Sequence, residues 1–143
     1  MFTGAYRVRV DDKGRLAIPA AFRKQLPEGS FVSVSLDNVL AIYPPDLWAA
    51  LAQDLLSPLP GPEQRALART LYSLSETFEP DGQGRIILRP EQRRLTEIDS
   101  PSSVVVIGSG SRVEIWPEDR WDSYSADAQG HFTEFADRVI SPR

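Results

Sequence analysis

The 143-residue sequence contains no cysteine and only one histidine. No disulfide framework, thiol nucleophile or Cys–His dyad can be built from it, and the usual cysteine- and histidine-ligated zinc sites are out of reach. The lone His131 sits beside Gly130 in a polar stretch, far from any other chemical grouping. Apolar runs stop after a few residues, as at Val104-Val105-Val106-Ile107, well short of the roughly 20 residues of a membrane span. Met1 to Arg7 hold none of the apolar stretch a secretory leader needs, so a cytoplasmic protein is expected. No EF-hand spacing occurs, and the adjacent Asp11 and Asp12 point apart on an extended or turning chain rather than working as a carboxylate pair. An enzyme is therefore not expected, nor is a metal or cofactor.

The net charge of −4 speaks against nucleic acid as a partner until the charges are located. Residues 1–26 carry Arg7, Arg9, Lys13, Arg15, Arg23 and Lys24 against Asp11 and Asp12. Residues 27–64 carry five acids and no base, and from Glu114 to Asp137 seven acids stand against Arg120, with Arg138 just beyond. Basic islands survive in an acidic chain. A phosphate partner feels the local field, within a Debye length of roughly 8–10 Å.

The sequence also repeats. Asp11-Asp12-Lys13-Gly14-Arg15-Leu16 aligns with Asp81-Gly82-Gln83-Gly84-Arg85-Ile86 at an offset of 70, and Tyr43-Pro44-Pro45-Asp46-Leu47-Trp48 with Trp116-Pro117-Glu118-Asp119-Arg120-Trp121 at an offset of 73. The two matches keep their order, so a duplicated unit explains them better than chance does.

Each copy reads alike. Tyr6, Val8 and Val10 alternate with Arg7, Arg9 and Asp11 as a half-buried strand, a glycine turn follows, and Leu16 to Ile18 return. Ala20 to Leu26 suggest a short helix, Val32 to Tyr43 a hairpin about Asp37-Asn38, and Pro44-Pro45 the start of a helix with Trp48, Leu51 and Leu55 on one face. In the second copy the counterparts are strands at 77–79, 86–88, 103–107 and 112–116, a helix over 90–95 and another after Pro117. The break at Ser57 to Pro62 precedes an amphipathic helix from Glu63 to Ser75 with Leu67, Leu71 and Leu74 aligned; this face is expected to be buried or to meet another subunit. The expected division is 1–56 and 76–128 for the repeats, 57–75 for the linker and helix, and 129–143 for a polar, frayed tail. One such unit is too small for a sturdy core. The expected fold is α+β, mainly β: two interlocked repeats forming one pseudo-symmetric barrel with peripheral helices.

The Asp-x-x-Gly-Arg turn is the sharpest chemical feature. Asp11 and Asp81 can each cap the free N–H groups of a tight turn and orient the arginine four residues on, while Gly14 and Gly84 let the backbone approach a partner. A guanidinium presents donors in a rigid fork suited to phosphate or to guanine O6 and N7. A plain hairpin turn with a surface ion pair is the simpler alternative, and a repeated structural turn would recur as well.

Met1-Phe2-x-Gly4, Val10-Asp11-x-Lys13-Gly14-Arg15-Leu16-x-Ile18-Pro19, Asp81-x-x-Gly84-Arg85 and the paired Tyr/Trp-Pro segments resemble the MraZ family, built from two tandem SpoVT-AbrB units, over roughly residues 1–125. The resemblance implies a swapped-hairpin AbrB-like barrel, assembly into ring-shaped homo-oligomers, and binding of double-stranded DNA at short direct repeats in a promoter. It also implies repression of the gene cluster for cell division and cell-wall synthesis, including the regulator's own gene, and a nucleoid-associated location. The DNA-binding residues it implies are Arg7, Arg9, Lys13, Gly14, Arg15 and Arg85, with Asp11, Asp81 and Gly84 supporting the turns. Gln83 replaces Lys13 in the second turn, and Glu76-Thr77-Phe78-Glu79 is acidic where Tyr6-Arg7-Val8-Arg9 is basic, so most phosphate contact is expected from the first copy.

Arg23, Lys24, Arg89, Arg93 and Arg94 read as a second basic layer or as solvated helix faces. Tyr43, Trp48, Trp116, Trp121 and Tyr124 could stack on bases but suit core or interface packing better. Two other functions stay open: a ring-forming module that binds a protein through its acidic face, and an AbrB-like antitoxin, which the two units and short tail disfavour.

Overall fold

The computed structural model describes residues 1–58 and 60–140; Leu59 of the predicted break, the side chain of Leu36 and residues 141–143 of the predicted tail lie outside them. One plan occurs twice. β1 (Ala5–Val10), β2 (Arg15–Ala17), α1 (Ala20–Arg23), β3 (Phe31–Ser35), β4 (Val39–Tyr43) and α2 (Pro45–Leu56) make the first run. After α3 (Gly61–Ser73) come β5 (Glu76–Thr77), β6 (Arg85–Ile87), α4 (Pro90–Thr96), β7 (Ser102–Gly108), β8 (Val113–Pro117) and α5 (Glu118–Gly130), with α6 (Phe132–Ile140) beyond.

The architecture is α+β, mainly antiparallel β, in two open sheets. Six strands lie in the order β1-β7-β8-β4-β3-β5, and β2 pairs with β6 in a separate ribbon. β1 pairs with β7 of the second run, and β5 pairs with β3 of the first, so the first strand of each run sits against the hairpin of the other. The remaining strand pairings between the runs centre on equivalent positions, Ala41 opposite Glu114 and Leu16 opposite Ile86. Asp37 and Asn38 turn the β3–β4 hairpin at φ 64° and 53°, a left-handed region their short polar side chains tolerate.

Alternation along the strands decides which core each side chain enters. Leu40 and Ile42 join Val10, Leu16, Phe22, Ile86 and Leu88 between the large sheet and the ribbon. Ala41 and Tyr43 point the other way, to Trp48, Ala52 and Leu71 beneath α2 and α3. Val39 and Val105 share that outer face with Trp116, against Trp121 of α5. Covered on both sides, β4 is buried along its whole length, which explains its unbroken apolar sequence. The aromatic residues pack as expected: Trp48 stacks on Phe31 at 5.5 Å, and Trp116 lies 5.3 Å from Trp121 and 4.8 Å from Tyr124.

The C-terminal stretch differs from the expectation of frayed polar chain. α5 continues to Gly130 and α6 follows, because Phe132, Phe135, Ala136 and Val139 recur at helical spacing within polar surroundings. Phe132 and Val139 remain exposed.

Candidate nucleic-acid interface

Both Asp-x-x-Gly-Arg segments fold into the same turn. The Asp11 N–H donates to the Arg15 carbonyl at 2.9 Å, and the Gly14 N–H donates to the Asp11 carbonyl at 3.1 Å. Asp11 Oδ1 accepts the backbone N–H groups of Lys13 and Arg15, each at 2.9 Å, and Oδ2 accepts Arg15 Nε at 2.7 Å. In the second copy Asp81 accepts Gln83 N–H at 2.8 Å, Arg85 N–H at 3.0 Å and Arg85 Nε at 3.0 Å. These donors, first the arginine backbone N–H, hold both carboxyls below the ordinary aspartate range.

One carboxylate thus performs both tasks read from the sequence. It caps the turn and ties Nε, which leaves the Nη edge of each guanidinium without a hydrogen bond among the described residues. As solvent-screened surface ion pairs the two contacts add little to stability. Their consequence is orientation.

The ribbon brings the two turns together. Arg15 lies opposite Ile87, and Ala17 opposite Arg85, so the arginines stand diagonally on one face while Leu16 and Ile86 point into the core. Ile87 is exposed between them. The two loops are pinned across the repeats, Ile18 N–H donating to the Gly84 carbonyl at 2.9 Å and Leu88 N–H to the Gly14 carbonyl at 2.8 Å.

Arg23 and Arg93, which the sequence allows either as a second basic layer or as solvated helix faces, belong to this site. Arg23 Nε donates to the Ile18 carbonyl at 2.8 Å and Arg93 Nε to the Leu88 carbonyl at 3.2 Å. Each guanidinium thereby lies against the glycine turn of the opposite repeat, Arg23 at Gly84 and Arg93 at Gly14. Their common offset of 70, the same as that of Arg15 and Arg85, was the signal.

The first-strand cations are placed elsewhere. Val8 and Val10 face the core under the ribbon, so Arg7 and Arg9 project from the opposite face of β1. Arg7 is held by α5, 2.7 Å from Asp122 and 3.1 Å from Glu118, and these bonds push its guanidinium further above its already high ordinary value. Arg9 donates to Ser103 Oγ at 3.2 Å. Lys13 is exposed on the first turn, and Gln83 occupies its place on the second. Glu118, Asp119 and Asp122 lie close together, and two of the three are engaged by Arg7.

The second repeat is the more acidic flank. An open cleft of about 490 Å³ beside the ribbon is lined by Glu76, Glu79 and Asp81 as well as by Arg15, Arg85 and Arg89, and Arg89 pairs with Glu76 at 2.7 Å. Such mixed lining does not concentrate anions.

A family model described as "MraZ protein, putative antitoxin-like" matches the chain twice, over residues 1–70 and 72–141. Three similar curated proteins each carry the name "Transcriptional regulator MraZ". That of Desulforamulus reducens is 38% identical over 141 residues, covering 98% of each chain. Those of Moorella thermoacetica and Nocardia farcinica are also 38% identical over 141 residues, covering 98% of this chain and 97% of their own.

Proposed function

The chain belongs to the MraZ family, and from that premise we propose that it regulates transcription by binding double-stranded DNA through the β2–β6 ribbon. The carrying observation is the pair of Asp-x-x-Gly-Arg turns, whose aspartates hold Arg15 and Arg85 by Nε and leave their outer edges open on one face. A two-stranded ribbon fits a major groove about 12 Å wide, where a bidentate arginine–guanine contact discriminates by about 1–3 kcal/mol. Arg15 and Arg85 read bases in this proposal and Lys13, exposed beside them, meets the phosphate backbone; Gly14 shapes its turn, and Arg7 and Arg9, on the other face of β1, add little to the contact. Asp11, Asp81 and Gly84 keep the turns in shape.

One protomer offers few contacts, so affinity comes from several acting together. That supports several copies acting together on short direct repeats; the ring-shaped homo-oligomer and repression of the division and cell-wall gene cluster, its own gene included, are what the family resemblance implies and are proposed on that ground. It would work without catalysis, in the cytoplasm and at the nucleoid. The exchange of β1 and β5 between the runs supports reading the two sheets as a swapped-hairpin barrel of two AbrB-like units.

A gel-shift titration on a fragment with direct repeats tests the proposal. Binding is expected to weaken steeply between 50 and 200 mM salt, as roughly one counterion is released per phosphate contact, and Arg15→Ala is expected to remove most of it. Full affinity of that variant across the salt series would overturn the mechanism. The exposed apolar stripe of α6 is the one observation that favours an antitoxin-like, protein-binding reading instead. Deleting residues 131–143 decides between them: a regulator acting through the ribbon keeps its DNA affinity.

A further inference from the structure

On the face of the large sheet turned away from the ribbon, α2, α3 and the β3–β4 hairpin enclose an apolar cleft of about 230 Å³. Leu51, Leu55, Leu67, Leu71, Leu74 and Leu95 supply its apolar wall. Tyr43 and Arg112 line it too. Tyr43 is 1% exposed, and its hydroxyl makes no well-formed hydrogen bond among the described residues, having only the Ser35 side chain beside it as a loose polar neighbour. Buried polar groups are nearly always paired, so an orphaned hydroxyl on a cavity wall marks a place where something else supplies the partner. Burial pushes the phenol up from its ordinary value, so it stays protonated and remains a donor.

Arg112 adds a second donor. Its guanidinium lies 6.0 Å from the Tyr43 ring centroid. Nε and Nη2 are held by Glu114 Oε2 at 3.1 and 2.9 Å, and Nη1 makes no hydrogen bond among the described residues. Ser35, Asn38 and Thr70 line the cleft as neutral polar groups and Glu114 does not line it, so its one charged group is the Arg112 donor, beside the Tyr43 hydroxyl. Their complement is an acceptor, and beside a guanidinium the best acceptor is an anion. The leucines demand an apolar body, and a volume below the roughly 300 Å³ of drug-sized sites limits it to a medium chain or a single ring.

We propose that this cleft binds a small amphipathic carboxylate, its body among the leucines of α2 and α3 and its carboxylate against Tyr43 and Arg112. The site lies apart from the β2–β6 ribbon and does not depend on the DNA-binding reading.

The test is a calorimetric titration of the full chain with octanoate, with 1-octanol and acetate as matched probes. Saturable binding is expected for octanoate, weaker binding for octanol, and none for acetate. Tyr43→Phe is expected to weaken octanoate about tenfold, the worth of one hydrogen bond to a charged group, while leaving the melting temperature of the free protein unchanged or slightly higher. Leu67→Trp, which fills the cleft, is expected to abolish binding with the fold retained by circular dichroism. The proposal is overturned if octanoate does not saturate, if octanol binds as tightly as octanoate, or if Tyr43→Phe binds octanoate like the parent protein. Loss of self-association in Leu67→Trp, with no octanoate bound by the parent, would instead identify the occupant as a second copy of the chain and would also overturn it.

Discussion

Arg23 lies over Gly84 so closely that a Cβ on the glycine would fall 2.6 Å from the arginine Cζ and Nε. Gly84 also sits at φ +75°, where L side chains are strained. Gly84→Ala therefore meets two penalties, one local and one across the repeats. A loss of about 1–2 kcal/mol is expected from the backbone alone, read from urea unfolding. Because Arg23 is a flexible side chain, Gly84→Ala combined with Arg23→Ala should recover part of the deficit. Strict additivity of the two changes would refute the contact.

The arginines of the turns and of the first strand should separate in a binding assay. Arg15 and Arg85 point outward from the ribbon, whereas Arg7 is engaged by Glu118 and Asp122. Arg15→Ala is expected to weaken DNA binding at least tenfold, in keeping with about 1–3 kcal/mol per bidentate base contact. Arg7→Ala should change it within about threefold. The reverse ranking would move the interface to β1.

Acid should loosen the turns at a predictable point. Asp11 and Asp81 have folded pKa values below their unfolded value, because backbone N–H groups and the arginine side chains stabilise the carboxylates. A depressed carboxyl contributes stability that is fully present above the unfolded value of about 3.9 and is lost as pH falls through the folded one. The turns should thus be insensitive to pH between about 5 and 7, begin to lose stability only below the unfolded value of about 3.9, and open as pH falls through the lower folded values. Carboxyl NMR titration checks it: both side chains should titrate lower than a free aspartate, and midpoints at or above about 3.9 would count against the capping geometry.

Neither repeat should fold alone. β1 pairs with β7, and β5 with β3, so a fragment ending near Ser75 loses the partner of its first strand and half of the core around Leu16. Circular dichroism of residues 1–75 and 76–143 should show disordered chains separately and a β spectrum on mixing. An independently folded half would contradict the exchange. In the intact chain Leu16→Ala, at 1% exposure, should cost about 2–5 kcal/mol.

Much of this was legible along the chain. The duplication, the two turns, the hairpin at Asp37-Asn38 and the helices opened by proline are local matters of spacing, φ tolerance and missing N–H groups, which a linear sequence records directly. The turn chemistry was legible for the same reason: Asp11 and Arg15 are four residues apart, and the carboxylate can reach both the backbone and the guanidinium without help from elsewhere. The α6 stripe is equally local, but polar residues between Phe132, Phe135 and Val139 mask its helical period in the overall polarity of the tail.

What the sequence determined by itself, then, is the set of parts: two copies of one plan, each with an oriented arginine on a capped turn. The tertiary structure decided how the parts meet. Only strand pairing could put Arg15 and Arg85 on one ribbon, seat Arg23 and Arg93 on the opposite repeat's glycine, and turn Arg7 away toward α5. Those relations join residues about 60 to 115 positions apart, and they are selected by the exchange of β1 and β5 between the runs, which leaves no mark in any single window of sequence.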